Sequence, residues 1–374
     1  MNPLSWNWNT GLAAAASAVL ALTGCSPSSD EAASGGADYA TTMRAEAETR
    51  TKDPAWKPAY HEVAVIKVGQ PGETLNNFCC DTNGNVLACV SGVQGGSPDK
   101  AAKPAVRVYD PDGKLLQTWP LDLEPQAICV EADGHVLVGG GGAITRLDRS
   151  GKVLASAKTP AFDAPLPPDD ELKEVAKRFG SGTPEERLAA YKKYAVSRRQ
   201  QVTGLASSGD DIFMAGPSLK DFTFVVYRYD RQLKNPTLII EKLSGCCGQM
   251  DIQARDGKLW IAHNARHRVE SHDRDGKLLV NFGKNDRKAA DGFGGCCEPK
   301  NLRALPNGDV LAAESGPPVA VKCFDAAGKF KGVLVAPAFE AGCVRTSVDQ
   351  SPDGQRLYLL DTGGQSIHVF APGT

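Results

Sequence analysis

Residues 269–282 read "VESHDRDGKLLVNF": a strand-like run, an Asp-led turn closed by glycine, and a second strand-like run. That order of signals is a β-hairpin, because Asp and Gly supply the turn chemistry and the flanking runs suit a half-buried sheet. The pattern recurs at 106–119 ("VRVYDPDGKLLQTW"), 144–157 ("ITRLDRSGKVLASA"), 226–239 ("VYRYDRQLKNPTLI") and 320–333 ("AVKCFDAAGKFKGV"). Asp110, Asp148, Asp230, Asp273 and Asp325 hold the equivalent place. A second hairpin precedes each one: "CCDTNGNVLAC", "CVEADGHVLVG", "LASSGDDIFMAG", "IQARDGKLWIAH" and "LRALPNGDVLAAE".

Four short strands per unit, repeated, are the signature of a propeller blade. A sixth unit, 344–374, runs out of chain after its third strand, and "HEVAVIKVG" at 61–69 has no hairpin partner of its own. Pairing these two ends completes the sixth blade and removes edges that would invite aggregation. The expected fold is therefore all-β: a six-bladed β-propeller over 56–374, with an N-terminal strand closing the last blade.

The Asp-to-Asp interval between Asp148 and Asp230 is far longer than the others, and 160–200 fills it. Leu172, Val175, Ala176 and Phe179 share one helical face, while Thr183, Pro184 and Glu186 make the start signal of a second helix. A two-helix insertion between blades two and three is predicted.

"GDVLAAESGPPVAVKCFDAAGKF" and "GKLWIAHNARHRVESHDRDGKLL" resemble the NHL repeat, whose pattern is a Gly-led strand, Asn-x-Arg-Val and Asp-x-x-Gly-Lys. The resemblance spans five or six blades. It implies the propeller fold and no single function, because NHL propellers include lyases, lactonase relatives, RNA-binding modules and protein scaffolds.

The N-terminal "GLAAAASAVLALTGC" is too short for a dependable membrane span and ends in small residues before Cys25. Leu22-Thr23-Gly24-Cys25 resembles a bacterial lipobox, which implies an exported envelope protein tied to the membrane by lipid on Cys25, although 1–10 lack the usual Lys or Arg. Thus 1–25 is expected to be the signal and lipobox. Residues 26–55, polar and small, are expected to be a disordered tether. With 42 Lys+Arg against 44 Asp+Glu and no basic run, the chain has no electrostatic footprint for nucleic acid. A monomer is expected, with an envelope protein as a further potential partner.

Eleven cysteines in an exported chain point to disulfide or metal chemistry. Cys246-Cys247 and Cys296-Cys297 fall one repeat apart in inter-blade links, and Cys343 holds a similar place in the next blade. Vicinal disulfides there would stiffen the loops at the channel mouth and reduce readily. Thiolates from several loops could instead hold copper(I), whereas adjacent cysteines suit zinc poorly. Cys79-Cys80 form a third pair inside a strand. For that region a Cys79–Cys129 bridge, a Cys80–Cys89 contact and simple buried thiols are all open.

Aligning blades on their hairpin glycines places His263, Glu314 and Asp361 at one rim position of three successive blades. These are the candidate ligand or metal contacts. The "DPDG" and "DRDG" segments are turns without the closing Glu of a calcium loop, and no Gly-x-Ser-x-Gly motif occurs. Three functions compete. One is an envelope propeller binding a ligand or a soft metal such as copper or zinc at the cysteine-lined mouth, with the inserted helices as a lid. Another is a metal-dependent lyase or hydrolase using the same rim, against which stands the single aligned His. The third is a protein-interaction scaffold.

Overall fold

The computed structural model describes residues 36–92, 103–245, 249–295, 297–339, 342 and 344–373. They form six four-stranded antiparallel sheets arranged as the blades of a propeller. The innermost strands are Glu73–Cys80, Ala127–Val130, Gly204–Ser208, Ile252–Arg255, Asn301–Ala304 and Val348–Gln350, in blades one to six. Blade six takes its outermost strand, Tyr60–Lys67, from the N-terminal side, in register with Ser366–Pro372. The closure inferred from the unpartnered segment is therefore the one observed.

The recurring Asp explains why each outer hairpin turns where it does. In blades one to five one carboxylate oxygen accepts the amides two and four residues on, as Asp273 does from Asp275 (3.0 Å) and Lys277 (2.9 Å). The fourth turn position is left-handed: Gly276 has φ 89°, and a Cβ there would stand 2.1 Å from the Ile239 carbonyl oxygen. Blade three puts Leu233 at this position, at φ 59°, with its side chain buried in the core between blades two and three.

Six apolar clusters lie one between each pair of neighbouring blades, so stability is distributed around the ring. Cys79 belongs to the cluster between blades one and two, and Cys80 to that between blades six and one. Successive residues of a strand face opposite sides. Of the three arrangements open for this region, the Cys79–Cys129 bridge does not form, Cys80 and Cys89 face different cores, and simple buried thiols are what is observed. All four are buried free thiols, which burial pushes well above the ordinary thiol range.

Helix α1 (Gly36–Thr51) precedes the propeller, and α2 (Asp169–Ala176) and α3 (Pro184–Arg198) lie between blades two and three. Thr183 and Glu186 make the predicted reciprocal capping box. Leu172, Ala176, Phe179 and Tyr191 form a small core, and Arg198 bonds the Asp221 and Thr223 carbonyls of blade three. Helix α1 corrects the tether expected over 26–55 where the two overlap, and 26–35 lie outside the described residues. Its end is held by polar contacts from the propeller, which apolar content alone does not signal. Among the described residues no helix is long and apolar enough to cross a membrane.

Candidate functional site

Around the channel, side chains of one inner strand satisfy backbone of the next. Asp251 accepts from Leu302 N (3.0 Å), Asn301 from Val348 N (2.8 Å) and Asp349 from Cys80 N (2.8 Å), and Asn77 donates to Gln126 O (3.1 Å). Arg303 pairs with Asp349 at 2.8 Å. Burial pushes Asp251 up to about 7. At this level only about 10 Å³ stays empty, about the room one water needs. The channel is thus closed midway, and its two ends are separate places.

One end, framed by the turns of the inner hairpins, opens into a cavity of about 460 Å³ bordered by Asp81, Glu131, Asp256, Arg255 and Arg303. The other end is the face of the inter-blade links, where the cysteine pairs fall. Cys246, Cys247, Cys296 and Cys343 lie outside the described residues. Their neighbours do not. Gln249, two residues after the first pair, spans the mouth to donate to Thr346 O at 2.9 Å. From the residue before Thr346, Arg345 reaches Gln126 O at 3.4 Å. Lys300, at the foot of the blade-five inner strand, is 0 % exposed and donates to Cys297 Sγ at 2.8 Å.

Glu298 lies between Cys297 and Lys300. Its Oε1 accepts from Ser315 N (3.1 Å), Ser315 Oγ (3.2 Å) and Gly316 N (2.8 Å). Gly316 permits this approach, since a Cβ there would stand 3.3 Å from Oε1. The other oxygen, Oε2, is buried with no hydrogen-bond partner among the described residues, as is Gln249 Oε1. Burial pushes the Glu298 carboxyl up to about 8, against the pull of Lys300, so it carries a proton at neutral pH. Sequence reasoning passed over Gln249, Glu298 and Lys300. Their signal was polar residues within three positions of each cysteine pair, where the apolar strand pattern begins.

The three aligned rim residues do reach the ends of second strands, but they occupy three separate polar clusters. His263 Nδ1 meets Glu270 Oε1 at 2.8 Å, its Nε2 accepts from Ser244 N at 2.9 Å, and His272 bonds the other Glu270 oxygen at 3.1 Å. Burial alone would raise Glu270, yet the two imidazoles together hold it far below the ordinary carboxylate range. With both ring nitrogens engaged, His263 keeps no lone pair for a metal. Glu314 is clamped by Arg50 (3.0 Å), Lys322 (2.5 Å) and Gly294 N (2.8 Å). Asp361 accepts from Gly364 N at 2.9 Å and lies 3.7 Å from His368. The expected metal rim is therefore not assembled by these three side chains.

Among the described residues one group has metal-like spacing, Glu131, Asp133 and His135. Arg146 and Arg231 already pair with its carboxylates, so its charge is met by guanidinium.

No family model matches the chain, and no curated protein does. Solved structures do. A structural genomics protein of unknown function from Bacteroides thetaiotaomicron shares 11 % identity at a TM-score of 0.53, covering 83 % of this chain and 75 % of that one. A protein of unknown function from Bacteroides caccae (16 % identity, TM-score 0.46) matches over 71 % of this chain and 82 % of its own. The Myceliophteria thermophila Cps50 (Swd1) beta-propeller domain (12 % identity, TM-score 0.48) matches over 84 % and 100 %. At these identities the likeness extends to the fold alone.

Proposed function

We propose that this chain is an envelope-anchored NHL-like binding propeller, held by lipid on Cys25, whose site is the cysteine-flanked mouth of the channel. The supporting observation is a pair of buried oxygens at that mouth with no partner among the described residues, Glu298 Oε2 and Gln249 Oε1, placed one and two residues after a cysteine pair. Buried polar atoms left without partners are costly in a finished core and are expected where a ligand completes the set. Lys300 and Arg345 bring positive charge, and protonated Glu298 offers a donor, so the fitting ligand is a small anion with hydrogen-bonding groups at both ends. The cysteine loops serve as its border, with Cys297 a buried free thiol.

The metal-dependent lyase or hydrolase reading loses its ligand set, because His263, Glu314 and Asp361 are separately satisfied.

The test is thermal unfolding of the full purified chain against small carboxylates, phosphate, copper(I) and zinc. A concentration-dependent rise in Tm with one anion class, lost in Glu298→Ala, supports the reading. A rise with copper(I) alone would move the assignment to metal handling. No response to any of them would leave the propeller as an interaction scaffold.

A further inference from the structure

The Cys297–Lys300 contact is unlike the other polar contacts of the mouth. The sulfur and the amine nitrogen stand 2.8 Å apart, both side chains are buried (1 % and 0 % exposed), and the residues are three apart in one link. A lysine buried beside a thiol has two equivalent proton arrangements, ammonium with thiolate or amine with thiol, and each presents a nucleophile.

We infer that Cys297 and Lys300 form an oxidant-sensitive pair that closes into a covalent Sγ–O–Nζ bridge. One oxygen atom inserted between sulfur and nitrogen spans the observed separation with little movement of either residue. With dioxygen as the oxidant the reaction balances. The thiol gives up one hydrogen and the amine one, S–O and O–N bonds form, the O–O bond breaks, and the second oxygen atom leaves with both hydrogens as water. Sulfur and nitrogen each lose two electrons, and dioxygen accepts the four. The product neutralises Lys300 and ties the link to the foot of the inner strand. This inference concerns the pair alone and does not depend on the ligand assigned to the mouth.

The experiment is peptide mapping by mass spectrometry on the full chain, prepared anaerobically and then exposed to air-saturated buffer, with trypsin digestion before and after dithiothreitol. The bridge predicts a peptide about 14 Da heavier, one oxygen gained and two hydrogens lost, with cleavage after Lys300 blocked and restored by reductant. Lys300→Arg keeps the charge but should abolish that species. Thermal unfolding of this variant and of Cys297→Ser checks that the propeller remains folded. Three results would overturn the inference: a peptide about 2 Da lighter joining Cys297 to another cysteine, oxyacids on Cys297 with Lys300 still cleaved, or an unchanged peptide.

Discussion

Arg50, at the end of the helix that precedes the propeller, and Glu314, at the end of a blade-five strand, meet at 3.0 Å with both side chains 1 % exposed. Lys322 completes the cluster, and the Arg50 and Lys322 cations lie 5.5 and 5.7 Å from the Trp56 ring centre. Burial lowers the Lys322 amine to about 8, whereas Lys322 and Arg50 outweigh burial to hold Glu314 below its ordinary value. Removing Glu314 leaves two cations uncompensated in a dry place, whereas removing Arg50 leaves Lys322 to pair with Glu314. Glu314→Ala should therefore cost ~3–5 kcal/mol and Arg50→Ala less, measurable by denaturant unfolding. Limited proteolysis should then cut within 36–51 in Arg50→Ala while sparing the blades.

Glu298 gives the protein an alkaline weakness. Its folded carboxyl sits at about 8 against an ordinary 4.5, so its contribution is fully present below 4.5 and is lost as pH rises through 8. Tm measured from pH 6 to 9 should fall toward the alkaline end. Glu298→Gln should flatten that fall and exceed the parent by roughly 2–5 °C at the highest pH. An unchanged slope in the variant would mean that the carboxyl is already ionised.

The opposite sign applies to Glu270. Its carboxyl is depressed by His263 and His272, so its stabilisation is present above the ordinary carboxylate value and disappears as pH falls below it. Urea unfolding between pH 7 and 3 should show the parent losing stability that Glu270→Gln has already lost at pH 7, a difference of ~2–3 kcal/mol from two charge-assisted hydrogen bonds. Parallel curves for the two proteins would contradict this.

Leu233 occupies a left-handed turn position that glycine fills in other blades. Glycine would relieve ~1 kcal/mol of backbone strain but forfeit ~2 kcal/mol of side-chain burial, so Leu233→Gly should lower stability slightly rather than raise it. Equilibrium unfolding decides the sign.

The ring was legible because each turn is local: an Asp, a Gly and two short apolar runs suffice to mark a hairpin, and six such units with a leftover strand admit one closure. The inserted helices were legible for the same reason, through the Thr183–Glu186 box and the Leu172–Phe179 face. The site was not, because partners decide it. Alignment brought His263, Glu314 and Asp361 to the right strand ends, but Glu270, Arg50 and Lys322, which occupy His263 and Glu314, come from positions that no spacing rule connects to them. Cys79-Cys80 stayed open for a simpler cause: within a strand adjacent side chains point into different cores, and the sequence alone does not say which neighbour each then meets.

The Arg50–Glu314 clamp also sets a geometry for the whole molecule. Glu314 ends its strand on the same face as Lys300 and the mouth, since Ala313 pairs with Asn301 at the foot of the inner strand. The last turn of α1 is therefore fastened on the mouth side, so a pull on the segment before the propeller is felt first at the mouth, through Arg50, and only then by the blades.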